Sequence, residues 1–422
     1  MGVRHEARMR LEQRTAGDGN ASAAVRDREG WPSRRAAASR MTRFSALFAA
    51  AVAVACLSAW PYVKAHLQSI AVMREISGQP APWIARGLTA PVTVEDLSYP
   101  IETPTGLQQV RARLYLPPKQ PNAPAMVIFH GVHHLGIEEP RLKAFATAMA
   151  GCGLRVLTPE LPGIKDYRVS VDSARTIGES VKWFAAQTGG PVGVMGLSFS
   201  GGLALVAAED PQYGPNFKFV FVVGSQDSME RVSRYYMTGR DVRPDGTVEV
   251  MKPHEYGPLV IEYEYLEDFV PAADLEPIRA VLRAHLYEDK PGEDQALHAL
   301  NPAQMREALA LMDTSLPSTR AGIVAAIERN AYKFAALSPE VHLRTLTTPV
   351  YLLHGGADNL IPSAETLWMA SEMPRQDLKA VLVSPALTHV DVDGQQPGVM
   401  DRWRLIHFFA LVLQAAESPA RR

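Results

Sequence analysis

Between residues 125 and 224 the chain repeats one pattern: a short apolar run without alternation, then a stretch with helical spacing. The runs are AMVIF (125–129), RVLTP (155–159), PVGVMG (191–196) and FKFVFVVG (217–224). A strand apolar at every position must be covered on both faces, which is the condition of a strand inside a parallel sheet. The intervening segments 140–153, 172–187 and 199–209 have helical spacing and supply the covers. The pattern resumes with PVYLLHG (349–355), LKAVLVS (378–384) and a final helix over 399–416. Upstream, VTVEDLSY (92–99) and QVRARLYL (109–116) alternate around the turn Pro104-Thr105-Gly106, which predicts an antiparallel hairpin at the sheet edge. The fold class is therefore α/β, with a doubly wound, mostly parallel sheet.

Two regions fall outside that pattern. Residues 229–340 read as mainly helical, with apolar helical spacing in 275–288, 302–314 and 319–337. They form an insert between two core strands, expected to cap the core formed by 91–228 and 341–422. The N-terminus is the other region. Residues 1–40 hold nine arginines and no apolar period, and read as disordered. From Phe44 to Val63 follow twenty residues without a charge, the length that spans a bilayer core as a helix. Arg34, Arg35, Arg40 and Arg43 precede the run, which places the N-terminus in the cytoplasm and the bulk of the chain on the other side. The competing reading is a cleaved signal peptide that starts at Met41, with Ala53-Val54-Ala55 as the cleavage site and secretion as the outcome. Residues 64–90 read as an amphipathic stem carrying Ile70, Val72, Met73 and Ile76. The two cysteines, Cys56 and Cys152, make no disulfide framework, and a net charge of −2 gives no reason to expect a nucleic-acid partner.

The chemistry-bearing residues lie at the C-terminal ends of the expected strands, where open α/β sheets bind their ligands. VGVMGLSFSGGLAL (192–205) places Ser198 between a strand and a helix, with small residues at Gly196, Ser200, Gly201 and Gly202. A nucleophilic serine on a sharp strand-to-helix turn needs small neighbours, because strand and helix backbones approach closely there. The N–H of Phe199 is the first candidate donor to an oxyanion. VIFHGVHHLG (127–136) offers a second at Val132, behind the tight turn at Gly131. Three histidines crowd this loop (His130, His133 and His134), yet no carboxylate cluster accompanies them, so neither a metal nor any other cofactor is assigned. Asp358 follows the strand VYLLHG, and His389 follows LKAVLVS thirty-one residues later. In the order Ser, Asp, His they supply a nucleophile, an orienting carboxylate and a base. Asp227, after an earlier strand, is the competing acid. His354 reads as shaping the loop before Asp358, and His407 as a satisfied histidine within a helix.

Taken together, HGVHHLG, GLSFSGG, HGGAD and LTH resemble the α/β-hydrolase superfamily over about residues 92–228 and 341–416. Gly-Gly after the elbow, and TPELPG (158–163), look like its dienelactone-hydrolase and prolyl-oligopeptidase-like branches. The former uses a cysteine where this chain has Ser198; the latter has an upstream propeller for which there is no room here. Ser200 stands where the usual motif has glycine. The resemblance implies a serine hydrolase that cleaves a small-molecule acyl or ester substrate through an acyl-enzyme, without a cofactor. The same triad would serve an acyltransferase or peptidase, and the same fold a non-catalytic binding protein. The aromatics of the insert, Tyr235, Tyr236, Tyr263, Tyr265 and Phe269, favour an apolar acyl or aryl group, or else form the insert's own core.

Overall fold

A computed structural model describes residues 34–118, 122–385, 387 and 398–419. The chain divides into two units, Met1–Ser58 and Ala59–Arg422. In the first, the described residues are helical and exposed from Leu47 onward. They belong to α1 (Arg34–Ile76), which starts inside the segment expected to lack regular structure. Among the described residues, Leu47–Ile76 is the one helix long and apolar enough to cross a membrane.

The second unit is built on an eight-stranded sheet in the order β1-β2-β4-β3-β5-β6-β9-β10. The edge hairpin is β1 (Thr93–Thr103) and β2 (Gly106–Leu116), antiparallel and turning at Pro104-Thr105. β2 also runs antiparallel to β4 (Arg155–Pro159). From there β3 (Ala125–Phe129), β5 (Val192–Leu197), β6 (Phe217–Val223), β9 (Val350–Gly355) and β10 (Leu378–Ser384) all pair in parallel. This is the α/β-hydrolase fold: the order reverses around β3 and β4, and the elbow helix follows β5.

Helices cover both faces. α2 (Pro140–Gly151) and α14 (Val399–Glu417) lie on one, with a core of Met126, Ile128, Met195, Phe219, Phe221 and Leu353. On the other lie α3 (Pro162–Lys165), α4 (Val171–Thr188), α5 (Phe199–Glu209) and, beside β9, α13 (Ala364–Glu372). Val127, Phe129, Val194, Val220, Val222 and Leu352 point to that side. Alternate residues of one strand thus feed two separate cores, which is why the central strands β3 and β5 carry no polar side chain and their neighbours few.

Two features differ from the expectation. The C-terminal part of α1, read as a stem, is docked on the core. Ala65 and Val72 are buried in the same cluster as α14, with Met73 and Ile76 packed against it. The Gln68 side chain donates to the carbonyls of Leu88 and Cys152, and the Ser69 hydroxyl to that of Ile406. The second difference lies in the insert. Its helices are α6 (Met229–Thr238), α7 (Tyr256–Glu264), α8 (Leu275–Leu286), α9 (Lys290–Ala299), α10 (Pro302–Met312), α11 (Pro317–Arg329) and α12 (Ala331–Ala336). A small antiparallel pair, β7 (Arg240–Val242) and β8 (Val248–Val250), interrupts them. Three-residue strands around the Asp245-Gly246 turn leave too short an alternation to be read against a helical background.

Candidate active site

The strand-to-helix turn after β5 places Ser198 at φ 53°, ψ −139°, a conformation that costs a non-glycine residue of order 1–3 kcal/mol. Neighbouring structure holds it there. The Ser198 N–H donates to the Val223 carbonyl at 2.8 Å, and its own carbonyl accepts from Gly201 at 2.9 Å. Gly196 is obligatory: a Cβ there would lie 2.5 Å from the Gly201 Cα and overlap the Ser200 carbonyl. The Ser198 side chain is left pointing at a cavity with no hydrogen-bond partner for Oγ among the described residues.

Ser200 turns out to have a task that glycine could not perform. Its hydroxyl donates to the His130 carbonyl at 2.6 Å, tying the elbow helix to the loop after β3. In that loop a Cβ on Gly131 would sit 3.1 Å from the Ser198 Cβ, so the loop backbone passes directly beside the serine. His130 is buried, and burial pushes its pKa down to about 4. Its Nε2 accepts from the Leu161 N–H at 3.0 Å, which leaves Nδ1–H to donate to the Gly131 carbonyl at 2.8 Å. Carbonyl and N–H point in opposite directions across a trans peptide. Pinning the Gly131 carbonyl therefore sets the direction of the Val132 N–H. His130 is thus an orienting residue of the loop, a role its burial and bonding disclose and its sequence position did not. His133 and His134 line the cavity along with His130, and stack on each other at 4.6 Å.

Asp358 is buried at the end of β9. Its Oδ1 accepts from the N–H groups of Leu360 and Ile361 at 3.0 and 2.9 Å, and Oδ2 lies 3.5 Å from His354 Nε2. His354 is itself held by the Ile361 carbonyl at 2.9 Å and the Thr366 hydroxyl at 2.7 Å. It shapes the Asp358 loop from below. The competing acid, Asp227, does not line the cavity. Arg231 holds its Oδ2 at 2.7 Å and also pairs with Glu365, which accepts from the N–H groups of Asp227 and Ser228. Burial and the neighbouring Glu365 charge push Asp227 upward from the usual carboxylate range. His407 is likewise engaged, its Nδ1 3.0 Å from His66 Nε2. His389 lies outside the described residues. Leu387, two positions before it, lines the same cavity as Ser198 and Asp358, and the carbonyl of Leu387 would meet a Cβ on Gly355 at 2.7 Å.

The cavity measures about 640 Å³, within the range of small-molecule sites. Phe199 and Val132 both line it. Neither of their N–H groups has a backbone partner among the described residues. Tyr167 and Glu288 were not anticipated. Together with Ser198 they are the non-glycine residues at positive φ among the described residues, and all three line this one cavity. Strain of that kind concentrates where geometry serves a site. Of the five aromatics singled out in the insert, Tyr236 lines the cavity; Tyr235, Tyr263 and Tyr265 are buried within the insert's packing.

No family model matches the chain, and no curated protein is significantly similar to it. Several solved structures are similar to this chain at low identity and low TM-score. Brefeldin A esterase, a bacterial homologue of human hormone-sensitive lipase, is 15% identical with a TM-score of 0.41, over 84% of this chain and 82% of its own. The esterase domain of a Rhodothermus marinus protein is 14% identical with a TM-score of 0.40, over 76% and 97%. The Pyrococcus horikoshii acylaminoacyl peptidase is 13% identical with a TM-score of 0.40, over 75% of this chain and 40% of its own. At these levels the functional reading rests on the residues of the site.

Proposed function

We propose that this α/β-hydrolase-fold protein is a serine hydrolase of carboxylic esters, with Ser198 as nucleophile, His389 as base and Asp358 as the orienting carboxylate. One observation carries the reading: a strained serine, its hydroxyl without a hydrogen-bond partner among the described residues, lines a cavity shared with Phe199, Val132 and a buried, loop-held aspartate. His389 stands two residues beyond Leu387, at most about 7 Å of extended chain. That keeps it within reach of the cavity Leu387 lines. His389 takes the Ser198 proton as Oγ attacks the ester carbonyl, and Asp358 fixes the imidazole tautomer and stabilises its charged form. The N–H groups of Phe199 and Val132 receive the oxyanion as the tetrahedral intermediate forms. His389 then returns the proton to the departing alcohol, and water releases the acyl group by the same route.

The apolar N-terminal helix supports a membrane-anchored enzyme. The arginines before it favour the non-cytoplasmic side for the catalytic unit, either tethered there or released from a cleaved signal. The test is turnover of p-nitrophenyl butyrate by wild type, Ser198→Ala and His389→Ala. Loss of about 10³-fold or more in kcat for either variant, with melting unchanged, is expected. Equal turnover by wild type and Ser198→Ala would remove the assignment.

A further inference from the structure

The cavity beside Ser198 is not confined to the space under the insert. Its lining divides between residues of two separate cores on opposite faces of the sheet. Under the insert the wall is formed by Tyr167, Tyr236, Tyr256, Val260 and Glu288. On the other face it is formed by Leu142 and Phe145 of α2, Met195 and Leu353 of the sheet, Phe409 of α14, and Met73 and Ile76 of α1. The first wall carries acids, histidines and tyrosine hydroxyls. These seven side chains are hydrocarbon and thioether, while Glu139 and Arg141 beside Leu142 also line the cavity and pair with each other at 2.7 Å. A polar group placed among the seven would find no partner from them and would pay its desolvation cost. Ser198 opens onto both.

We infer that this second arm is an acyl-chain pocket, and that the substrate class is an ester of a long, flexible aliphatic acid. The inference rests on the hydrolase reading above and extends it. The acyl chain runs from the ester carbonyl at Ser198 Oγ along Leu353 and Met195 to Met73 and Ile76, and the alcohol portion leaves toward the polar wall. Methionine suits this use, because an unbranched thioether adapts to a flexible ligand. The same two helices that close the arm, α1 and α14, also carry exposed Trp60, Tyr62, Met400 and Trp403. The ring of Trp403 stacks on His66 of α1 at 5.4 Å, so these exposed side chains flank one junction. Tryptophan and tyrosine in such a setting belong to a membrane–water interface. A membrane lipid and a dissolved ester could both present the chain.

The experiment measures kcat/KM for p-nitrophenyl esters from acetate to dodecanoate, using the full chain in detergent. The longer esters are offered both dissolved and embedded in phosphatidylcholine vesicles. Each methylene buried in the arm is expected to raise kcat/KM by up to about three- to fourfold until the arm is full. Ile76→Trp fills the arm and should lower the dodecanoate-to-butyrate ratio at least tenfold. Ile76→Ala enlarges it and should move the optimum to longer chains, which keeps the test open if the tryptophan variant does not fold. Faster turnover from vesicles identifies a lipid source and faster turnover in solution a soluble one; either carries the chain preference. A flat chain-length profile that neither variant moves would overturn the arm while leaving the hydrolase intact. Absence of turnover for every ester would instead defeat the hydrolase reading itself.

Discussion

The elbow after β5 and helix α7 of the insert hold their buried polar groups differently. Around the elbow, nearly every polar atom is bound to a neighbour: Ser200 to His130, His130 to Leu161 and Gly131, Ser225 to Gly202. Exceptions among the described residues are Ser198 Oγ and His134 Nδ1, on residues that line the cavity, and Glu209 Oε1 at the end of α5. In the insert, Glu262 is fully buried on α7, and neither of its carboxylate oxygens has a hydrogen-bond partner among the described residues. It does not line the cavity. Ser198 lines the cavity, whereas Glu262 is enclosed in the packing of the insert, which its unbonded carboxyl weakens. Desolvation pushes the Glu262 pKa up to about 9, so the folded protein keeps it neutral.

That contrast can be broken at three points, in order of expected effect. Gly196→Ala should be the most damaging, because its methyl group meets backbone of the Ser200–Gly201 turn, which cannot move aside. Overpacking of that kind costs about 1–3 kcal/mol or more and should also displace Ser198. Thermal melting and ester turnover should fall together. Ser200→Ala removes only the tether to the His130 carbonyl. A lost hydrogen bond of this kind is worth about 1 kcal/mol. The account predicts a drop in kcat of about fivefold with KM nearly unchanged, since the loop that carries Val132 loosens while the cavity keeps its shape. An effect on KM alone would assign Ser200 to substrate binding instead.

Glu262→Gln should produce the smallest change, and of the opposite sign. The unfolded chain ionises this carboxyl near its ordinary value, about 4.3, while the folded chain does so only near 9. The raised folded pKa means that stability is complete below the unfolded value and is lost as pH rises toward 9. Replacing the acid by its neutral amide should raise Tm by a few degrees at pH 8.5 and leave it unchanged at pH 4. A melting curve for the variant that tracks wild type at both pH values would show that Glu262 is solvated.

The same contrast explains what could be read from the chain and what could not. The sheet was legible because AMVIF, PVGVMG and FKFVFVV leave no alternative to strands covered on two sides. Gly196-Leu197-Ser198 and Gly355-Gly356-Ala357-Asp358 were legible because each closes such a run. Ser200 looked like an imperfect glycine, since sequence alone does not reveal a hydroxyl's partner seventy residues away. Met73 and Ile76 were visible as one apolar face, but the surface that face covers is assembled from α2, α14 and the sheet, far off in sequence. Tyr167 and Glu288 owe their place to positive φ at chain turns, for which neither residue type gives a signal.

The central claim is that Ser198 is a reactive nucleophile, and covalent labelling tests it most directly. The folded full-length protein is treated with a fluorophosphonate probe, digested and read by mass spectrometry, beside Ser198→Ala. The account predicts a phosphonyl adduct on the peptide containing Ser198 in the wild type and none in the variant. A correctly folded wild type that stays unlabelled, or carries the adduct on another serine, would contradict it.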